Sequence, residues 1–136
     1  LHFSANHPLT KLNVTNSLIT GYADDLISGE RPKDEAKPFN FDFEDCVLRT
    51  PQPTTADSVY FKNIIYEDVK DTTIYGEKNF VKIDADKQYY DFHLSKISAA
   101  VDKANAKTAR TIDRDGVKRD ELPDIGAYEY RKAGGK

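Results

Sequence analysis

The chain has 136 residues, of which 38% are hydrophobic and 32% are charged, and its formal net charge is −3. This length fits a single domain, and the small acidic excess excludes the strongly basic surface of a dedicated nucleic-acid-binding protein. No run of 18 apolar residues is present, so the sequence predicts no membrane-spanning helix. Methionine is absent, and we therefore expect the chain to be a fragment or a processed product of a longer protein.

Three segments share one pattern, in which two alternating apolar positions are followed by Asn or Asp and then by two adjacent apolar residues. These segments are residues 12–19, 41–48 and 59–66. Each predicts a short strand, a bend and a second short strand. Their unequal spacing is typical of repeats joined by loops of different length, with a polar insertion at residues 28–38.

The bend position of the three segments is occupied by Asn16, Asp45 and Asn63. Asn and Asp tolerate the left-handed backbone angles that a tight bend needs. If the segments stack as coils, the three side chains lie in one column and hydrogen-bond along it. The alternative from the pattern alone is three unrelated amphipathic strands in a small sandwich.

The last third of the chain carries the most specific pattern. Residues 90–95 alternate apolar and polar side chains, which predicts a strand with one buried face. Residues 97–109 are rich in Ala and Lys and have apolar side chains at helical spacing, which predicts a short helix or a few turns packed on one side. Residues 111–130 combine turn sequences with a final apolar run, and Gly126 lies inside that run, where the backbone passes close to a neighbour or takes an unusual angle.

The same segment resembles the C-terminal end of bacterial right-handed parallel β-helix surface proteins. That family has a "DYHL…SPAIDAG" segment followed by "DIDG…R…PDIGAYEY". The matching stretches here are YDFHL at 90–94, SAAVD at 98–102, IDRDG at 112–116, Arg119 and PDIGAYEY at 123–130. The family has Pro and Gly where this chain has Ala99 and Asn105.

The resemblance implies an all-β fold, a pectate-lyase-like parallel β-helix of three to four coils, with a C-terminal cap that contains a short helix. Residues 1–88 would be part of the coils, residues 89–130 the terminal coil and cap, and residues 131–136 a flexible tail. It also implies a secreted or cell-surface bacterial protein concerned with carbohydrate. Asp124 and Gly126 belong to the matched motif and are expected to have structural roles in the cap.

Two D-x-D pairs are candidate calcium ligands, because Ca²⁺ binds carboxylate oxygens. They are Asp84 with Asp86, and Asp113 with Asp115. The alternative is that these residues form solvated turns. In the cap, we expect Asp113 to form a salt bridge with Arg119. No other cofactor is predicted.

Aromatic side chains are the remaining candidate binding groups. Tyr60, Tyr66 and Tyr89 can form a stacking surface for sugars, or they can pack in a core. The histidines, His2, His7 and His93, have no metal-binding spacing, and we expect them to be structural or solvated. The single cysteine, Cys46, cannot form an internal disulfide.

These patterns predict a non-catalytic C-terminal portion of a secreted or surface β-helix protein that binds or helps to process carbohydrate. The alternatives are part of a polysaccharide lyase or glycoside hydrolase whose groove lies mainly upstream, and an adhesive surface spacer. The sequence identifies no catalytic residues. Expected partners are preceding coils or a second copy of the chain along residues 12–19, and a polysaccharide, but no nucleic acid.

Overall fold

A computed structural model describes residues 7–132 of the chain. His2 and residues 133–136 of the predicted tail lie outside this part. The described residues form eight short strands and two 3-10 helices, at Ala56–Tyr60 and Gly76–Asn79. The strands are β1 (Leu9–Thr15), β2 (Leu18–Ile19), β3 (Phe39–Glu44), β4 (Val47–Leu48), β5 (Phe61–Lys62), β6 (Ile65–Tyr66), β7 (Phe80–Asp84) and β8 (Tyr89–Leu94).

The strands form three small sheets. The outer sheet has the order β1–β3–β5 and the middle sheet the order β2–β4–β6, and all four pairings in these two sheets are parallel. The third sheet is the antiparallel hairpin β7–β8. In the middle sheet the register places Leu18, Val47 and Ile65 in one row.

The predicted local pattern of strand, bend and strand is confirmed. The three segments become β1 and β2, β3 and β4, and β5 and β6. The third segment differs at its start, because Ala56–Tyr60 is a 3-10 helix and β5 begins only at Phe61. Thr55 caps this helix by accepting a hydrogen bond from the Asp57 N–H, and local capping of this kind competes with strand formation.

The three bend residues adopt the left-handed backbone conformation, with φ of 47° at Asn16, 54° at Asp45 and 49° at Asn63. Asn63 Nδ2 donates to Asp45 Oδ1 over 2.6 Å, and Asn105 Nδ2 donates to Asp45 Oδ2 over 3.0 Å. The Asn16 side chain instead bonds Thr108 Oγ1 and the Asn105 N–H. The bends are therefore tied to the terminal segment as well as to one another.

The predicted right-handed parallel β-helix of three to four coils is wrong. The strands of residues 7–132 lie in three separate small sheets that are not curled, and these residues contain no solenoid coils. Four of the strands have only two residues, which extend over about 7 Å. Strands this short give small patches of sheet, and the antiparallel hairpin does not continue the parallel stacking.

Of the two interpretations of residues 97–109, the short helix is wrong, since residues 7–132 contain no α-helix and this stretch is a series of turns and bends. Asp102 has φ of 58°, which ends any right-handed helix at that point. Its N–H bonds Asp124 Oδ1 over 2.6 Å. The apolar side chains of this stretch nevertheless pack in the core, because Ala100, Val101 and Ala104 belong to a hydrophobic cluster.

Two hydrophobic clusters lie on opposite faces of the middle sheet. Val47 packs with Leu94, Ala100 and Ile125 of the chain's last third, whereas Leu48 packs with Phe43 and Cys46. Full burial of an aliphatic side chain stabilises a fold by about 1.5–3 kcal/mol. The middle sheet thus links the outer sheet to the terminal segment.

The predicted strand at residues 90–95 is confirmed as β8, but its predicted buried face is only partly correct. Leu94 is buried, whereas Tyr90 and Phe92 on the same face are 51% and 50% exposed. The hairpin therefore presents aromatic rings at the surface, and these rings form one wall of the site described below.

Replacement of Asp45 tests the bend. We expect Asp45→Ala to lower the free energy of unfolding by about 2–3 kcal/mol, because alanine is strained at this left-handed φ and two amide donors lose their acceptor. Asp45→Asn is the matched control, since Asn tolerates the conformation and keeps one acceptor. Urea unfolding of both variants measures the difference, and equal stabilities would contradict the role given to Asp45.

Candidate binding site

A surface cleft of about 460 Å³ lies between the hairpin β7–β8 and two loops. Residues 20–22 of the first loop and residues 69–77 of the second form the opposite wall. Five aromatic side chains line the cleft, and they are Tyr22, Tyr75, Phe80, Tyr90 and Phe92. Clefts of this size that combine apolar walls with a few polar groups are typical of small-ligand sites.

The rings of the hairpin are held in a fixed arrangement. Phe80 and Phe92 meet edge to face, with ring centroids 5.2 Å apart. Tyr90 and Phe92 are nearly parallel, with an interplanar angle of 9° and centroids 6.0 Å apart. Tyr22 on the facing loop is 94% exposed. The cleft therefore offers ring faces to a ligand, and such faces bind flat apolar surfaces.

Glu67 does not line the cleft, but it bonds three residues that do, and its side chain is fully buried. Its Oε2 accepts hydrogen bonds from Thr20 Oγ1 over 2.7 Å and from Arg49 Nη1 over 3.2 Å. Its Oε1 accepts from Asn79 Nδ2 over 2.7 Å and from the Gly76 N–H over 3.3 Å. A buried carboxylate is stable only with such partners, so Glu67 fixes both loops relative to the hairpin.

Gly76 and Asn79 shape the second loop. Gly76 has φ of 63°, a conformation that glycine adopts without steric cost. Asn79 is completely buried; it donates to the Gly76 carbonyl and accepts from Ser98 Oγ over 2.8 Å. The loop wall of the cleft is therefore tied to the terminal segment through Ser98.

The three tyrosines predicted to bind sugar do not line this cleft. Tyr60 packs against Phe41, with ring centroids 4.9 Å apart. Tyr66 is half-buried in β6, and burial raises the pKa of its hydroxyl. Tyr89 is exposed at the start of β8, and Lys82 Nζ lies over its ring at 5.1 Å from the centroid. The structure does not bring these three residues together, and Tyr90 occupies the cleft instead of Tyr89.

The two D-x-D pairs lie in turns. Asp84 Oδ1 accepts from the Lys87 N–H over 3.1 Å in the turn of the hairpin, and Asp86 is exposed there. Asp113 Oδ1 accepts from the N–H groups of Asp115 and Val117. Among residues 7–132, no three His, Cys, Asp or Glu side chains are grouped as metal ligands. Calcium binding stays a prediction.

The buried carboxylate of Asp113 is stabilised by hydrogen bonds from three backbone N–H groups. Its Oδ2 accepts a third backbone hydrogen bond, from the Glu129 N–H over 3.1 Å. Burial by itself raises the pKa of Asp113, but the three N–H donors outweigh it, so that the pKa lies below its usual value. Asp113 therefore holds the turn at residues 115–117 against the backbone at Glu129.

The predicted salt bridge between Asp113 and Arg119 is wrong, because Arg119 pairs with Glu129. Arg119 Nη1 lies 2.8 Å from Glu129 Oε2, and both side chains are more than nine-tenths buried. The same guanidinium donates to the carbonyls of Asp124 and Gly126. Sequence spacing did not reveal Glu129, because its carboxylate comes close to Arg119 only after the terminal segment folds back.

Asp124 and Gly126 lie at the centre of that folded segment. Asp124 accepts from the N–H groups of Asp102 and Tyr130, and burial nevertheless raises the pKa of its carboxyl. Gly126 has φ of 109°, and its N–H donates to the Asn16 carbonyl over 2.9 Å. This left-handed angle favours glycine, whereas a Cβ here would meet Leu18 Cβ at an ordinary contact distance of 3.6 Å.

His93 links the hairpin to the turn at Asp115. Its Nδ1 lies 2.6 Å from Asp91 Oδ1 and its Nε2 lies 2.9 Å from Asp115 Oδ2, so both ring nitrogens can donate only in the protonated form. The ring also packs on Tyr128, with centroids 4.1 Å apart. Arg131 Nη2 approaches the same Asp115 carboxylate at 3.5 Å. His7, in contrast, is exposed.

Sequence reasoning missed Tyr22, Glu67 and Asn79. Tyr22 is an isolated aromatic residue in a polar loop, and neither Glu67 nor Asn79 belongs to a recognisable motif. The one usable signal was the unusual content of aromatic residues in residues 75–92. The contacts of Glu67 join three distant parts of the chain, and no local pattern encodes such contacts.

Comparison of the chain with known protein families, with curated proteins and with solved structures finds no significant match. The family resemblance of the terminal segment therefore stays a prediction, and the fold that it implies is wrong. Within residues 7–132, no helix has the length and the apolar character required to cross a membrane.

The pair of carboxylates around His93 predicts pH-dependent stability. The hydrogen bonds to Asp115 and Asp91 raise the pKa of His93 above the usual 6.5. Stabilisation by the imidazolium is therefore complete below about pH 6.5, the unfolded value, and is lost as the pH rises through the higher folded pKa. Urea unfolding from pH 5.5 to 8.5 should show this loss in the native chain and not in His93→Gln. The same slope in both proteins would contradict the assignment.

Proposed function

We propose that this chain is a non-catalytic carbohydrate-binding module and that the aromatic cleft is its binding site. The observation that supports the proposal is the exposure of Tyr22, Tyr90 and Phe92 around one cleft. Three large exposed rings in one place cost solvation free energy unless a ligand covers them. Ring contacts within the hairpin fix Tyr90 and Phe92, and the Glu67 network fixes Thr20, two residues before Tyr22, so the site is largely formed before binding.

Carbohydrate fits this combination of groups better than a purely apolar ligand. The C–H faces of a sugar ring stack on aromatic rings, and its hydroxyl groups need hydrogen-bond partners. Asp71, Thr72 and Glu77 supply such partners at the rim of the cleft. A ligand without hydroxyl groups would leave these polar side chains desolvated and unpaired.

The alternative is that the chain forms part of a polysaccharide lyase or glycoside hydrolase. One observation favours it: Asp71 and Glu77 line the same cleft, and paired carboxylates perform acid and base steps in glycoside hydrolysis. Against it, Asp71 Oδ1 is already bonded by Thr73 and Glu77 is paired with Lys78.

We infer from the sequence resemblance that the protein is located outside the cell, at the cell surface or in the medium.

A binding experiment with a matched control tests the proposed site. The folded chain is titrated calorimetrically with a panel of neutral oligosaccharides. Tyr90→Ala should weaken binding roughly ten-fold or more, because removal of a stacked ring costs about 1.5–3 kcal/mol. Tyr89→Ala is the control, since its equally exposed ring lies outside the cleft and its loss should leave the affinity unchanged.

The outcomes separate the alternatives. No binding by the folded chain, or equal losses in Tyr89→Ala and Tyr90→Ala, would contradict the cleft as the site. Release of reducing ends or of unsaturated products from the same panel would establish the enzyme alternative. Absence of turnover by the native chain, together with retained affinity in Asp71→Asn, would support a binding module.

We also propose that β1 is a contact surface for a second copy of the chain. In the described residues, β1 pairs only with β3, and Leu12 on it is 41% exposed. The Gly126 N–H covers the Asn16 carbonyl just beyond this strand, so the open edge is limited to β1 itself. Open strand edges pair readily with another chain. No nucleic-acid partner is proposed.

Sedimentation at increasing concentration tests this contact. We expect reversible association of the native chain and weaker association of Leu12→Lys, because a charged side chain opposes edge pairing. Leu122→Lys is the control, since Leu122 is also exposed but lies in the terminal segment. A monomer at all concentrations would exclude the contact.

A further inference from the structure

A second cavity, of about 620 Å³, lies beside the bend at Asn16. Its walls are residues 15–18, residues 108–114 and the stretch around Gly126. Three arginines line it, Arg110, Arg114 and Arg119. We call it the arginine cavity.

Two of these arginines have free guanidinium groups. Arg110 and Arg114 are exposed, and within residues 7–132 neither side chain has a hydrogen-bond or ion-pair partner. Arg119 differs, because it is buried and paired with Glu129. The arginine cavity therefore presents two unpaired positive charges at its rim.

The acidic residues of the same cavity do not neutralise these charges by contact. Asp113 and Asp124 also line it, but both are buried. Both oxygens of each carboxylate accept backbone hydrogen bonds from the terminal segment. They are committed to the fold, and the guanidinium groups of Arg110 and Arg114 remain available to an anion.

The arginine cavity is continuous with the aromatic cleft. A third cavity of about 500 Å³ lies between them and shares Leu18, Arg114 and Ala127 with the arginine cavity. It shares Thr20, Phe80 and Phe92 with the cleft. The three cavities therefore adjoin one another along the chain from Thr15 to Tyr22, and we call them together the groove.

We propose that this groove binds an oligosaccharide that carries a carboxylate or sulfate group, with the sugar rings at the aromatic end and the anionic group at Arg110 and Arg114. This inference rests on the proposed carbohydrate-binding function and names the class of ligand. A guanidinium group binds the two oxygens of a carboxylate or sulfate in a bidentate manner. Three adjoining cavities suit a linear ligand, whereas a single sugar would occupy only one cavity.

The charges along the groove also set the orientation of the ligand. The aromatic cleft contains Asp71 and Glu77, and its one arginine, Arg49, is paired with Glu67 and Asp24. An anionic group at that end would meet like charges, which disfavour binding. A uniformly charged polyanion is therefore a poorer ligand than an oligosaccharide with its anionic group at one end.

Calorimetry with matched ligands tests the inference. The probes are a neutral xylo-oligosaccharide, the same oligosaccharide with a terminal glucuronic acid, and a sulfated counterpart. We expect at least one acidic probe to bind about ten-fold tighter than the neutral one at low ionic strength, and the preference to shrink as salt is added. The double variant Arg110→Ala/Arg114→Ala should lose the preference and keep the neutral affinity.

Control variants separate this inference from the proposed function. Lys107→Ala removes a nearby exposed positive charge that does not line the groove and should change neither affinity. Tyr90→Ala should weaken the neutral and acidic probes alike. An unchanged unfolding midpoint in the double arginine variant shows that its fold is intact, as expected for two exposed side chains.

Each result has one meaning. Neutral binding that depends on Tyr90, without tighter binding of either acidic probe, overturns the inference and leaves the proposed function in place. An acidic preference that persists in the double arginine variant overturns the assignment to Arg110 and Arg114. Failure of every probe contradicts the proposed function itself. The carboxylated and sulfated probes show which anionic group the arginine cavity prefers.

Discussion

The structure depends on a narrow middle sheet that must be covered on both faces. In β4, Val47 and Leu48 point to opposite sides, and both are fully buried. The outer sheet covers Leu48, whereas the last third of the chain covers Val47. Because a two-residue strand provides little hydrogen bonding, the burial of its two faces holds the molecule together.

The need to cover Val47 explains why the terminal segment contains buried carboxylates. The segment that covers Val47 has almost no regular structure, so its backbone N–H groups need other acceptors. Buried carboxylates supply them: Asp113, Asp124 and Glu129 together accept several backbone hydrogen bonds. Arg119 balances part of this charge. These carboxylates, including the candidate calcium ligand Asp113, therefore supply the hydrogen-bond acceptors that a sheet would otherwise provide.

The groove is a consequence of the same arrangement. The terminal segment bonds the bend at Asn16, and from the hairpin β7–β8 the residue buried in the core is Leu94. Tyr90 and Phe92 are left on the hairpin surface, and Arg110 and Arg114 on the turns of the terminal segment. Glu67 then fixes the facing loops. One continuous surface thus has a ring-lined end and a cationic end.

The sequence by itself determined the local conformations. Asn and Asp at the bends, the extended conformation of β8 and the three strand–bend–strand segments follow from short-range steric and periodic rules, and all appear in the structure. The burial of Tyr90 and Phe92 that the alternation in β8 predicts does not. Tertiary structure decided the sheet arrangement, the absence of the helix at residues 97–109 in favour of turns, and the choice of Tyr90 over Tyr89 for the cleft. It also decided that Arg119 pairs with Glu129. These outcomes depend on contacts between segments that are distant in sequence. The free energy gained by burying an apolar face, or by pairing a buried charge, depends on which segment packs against it in the folded chain.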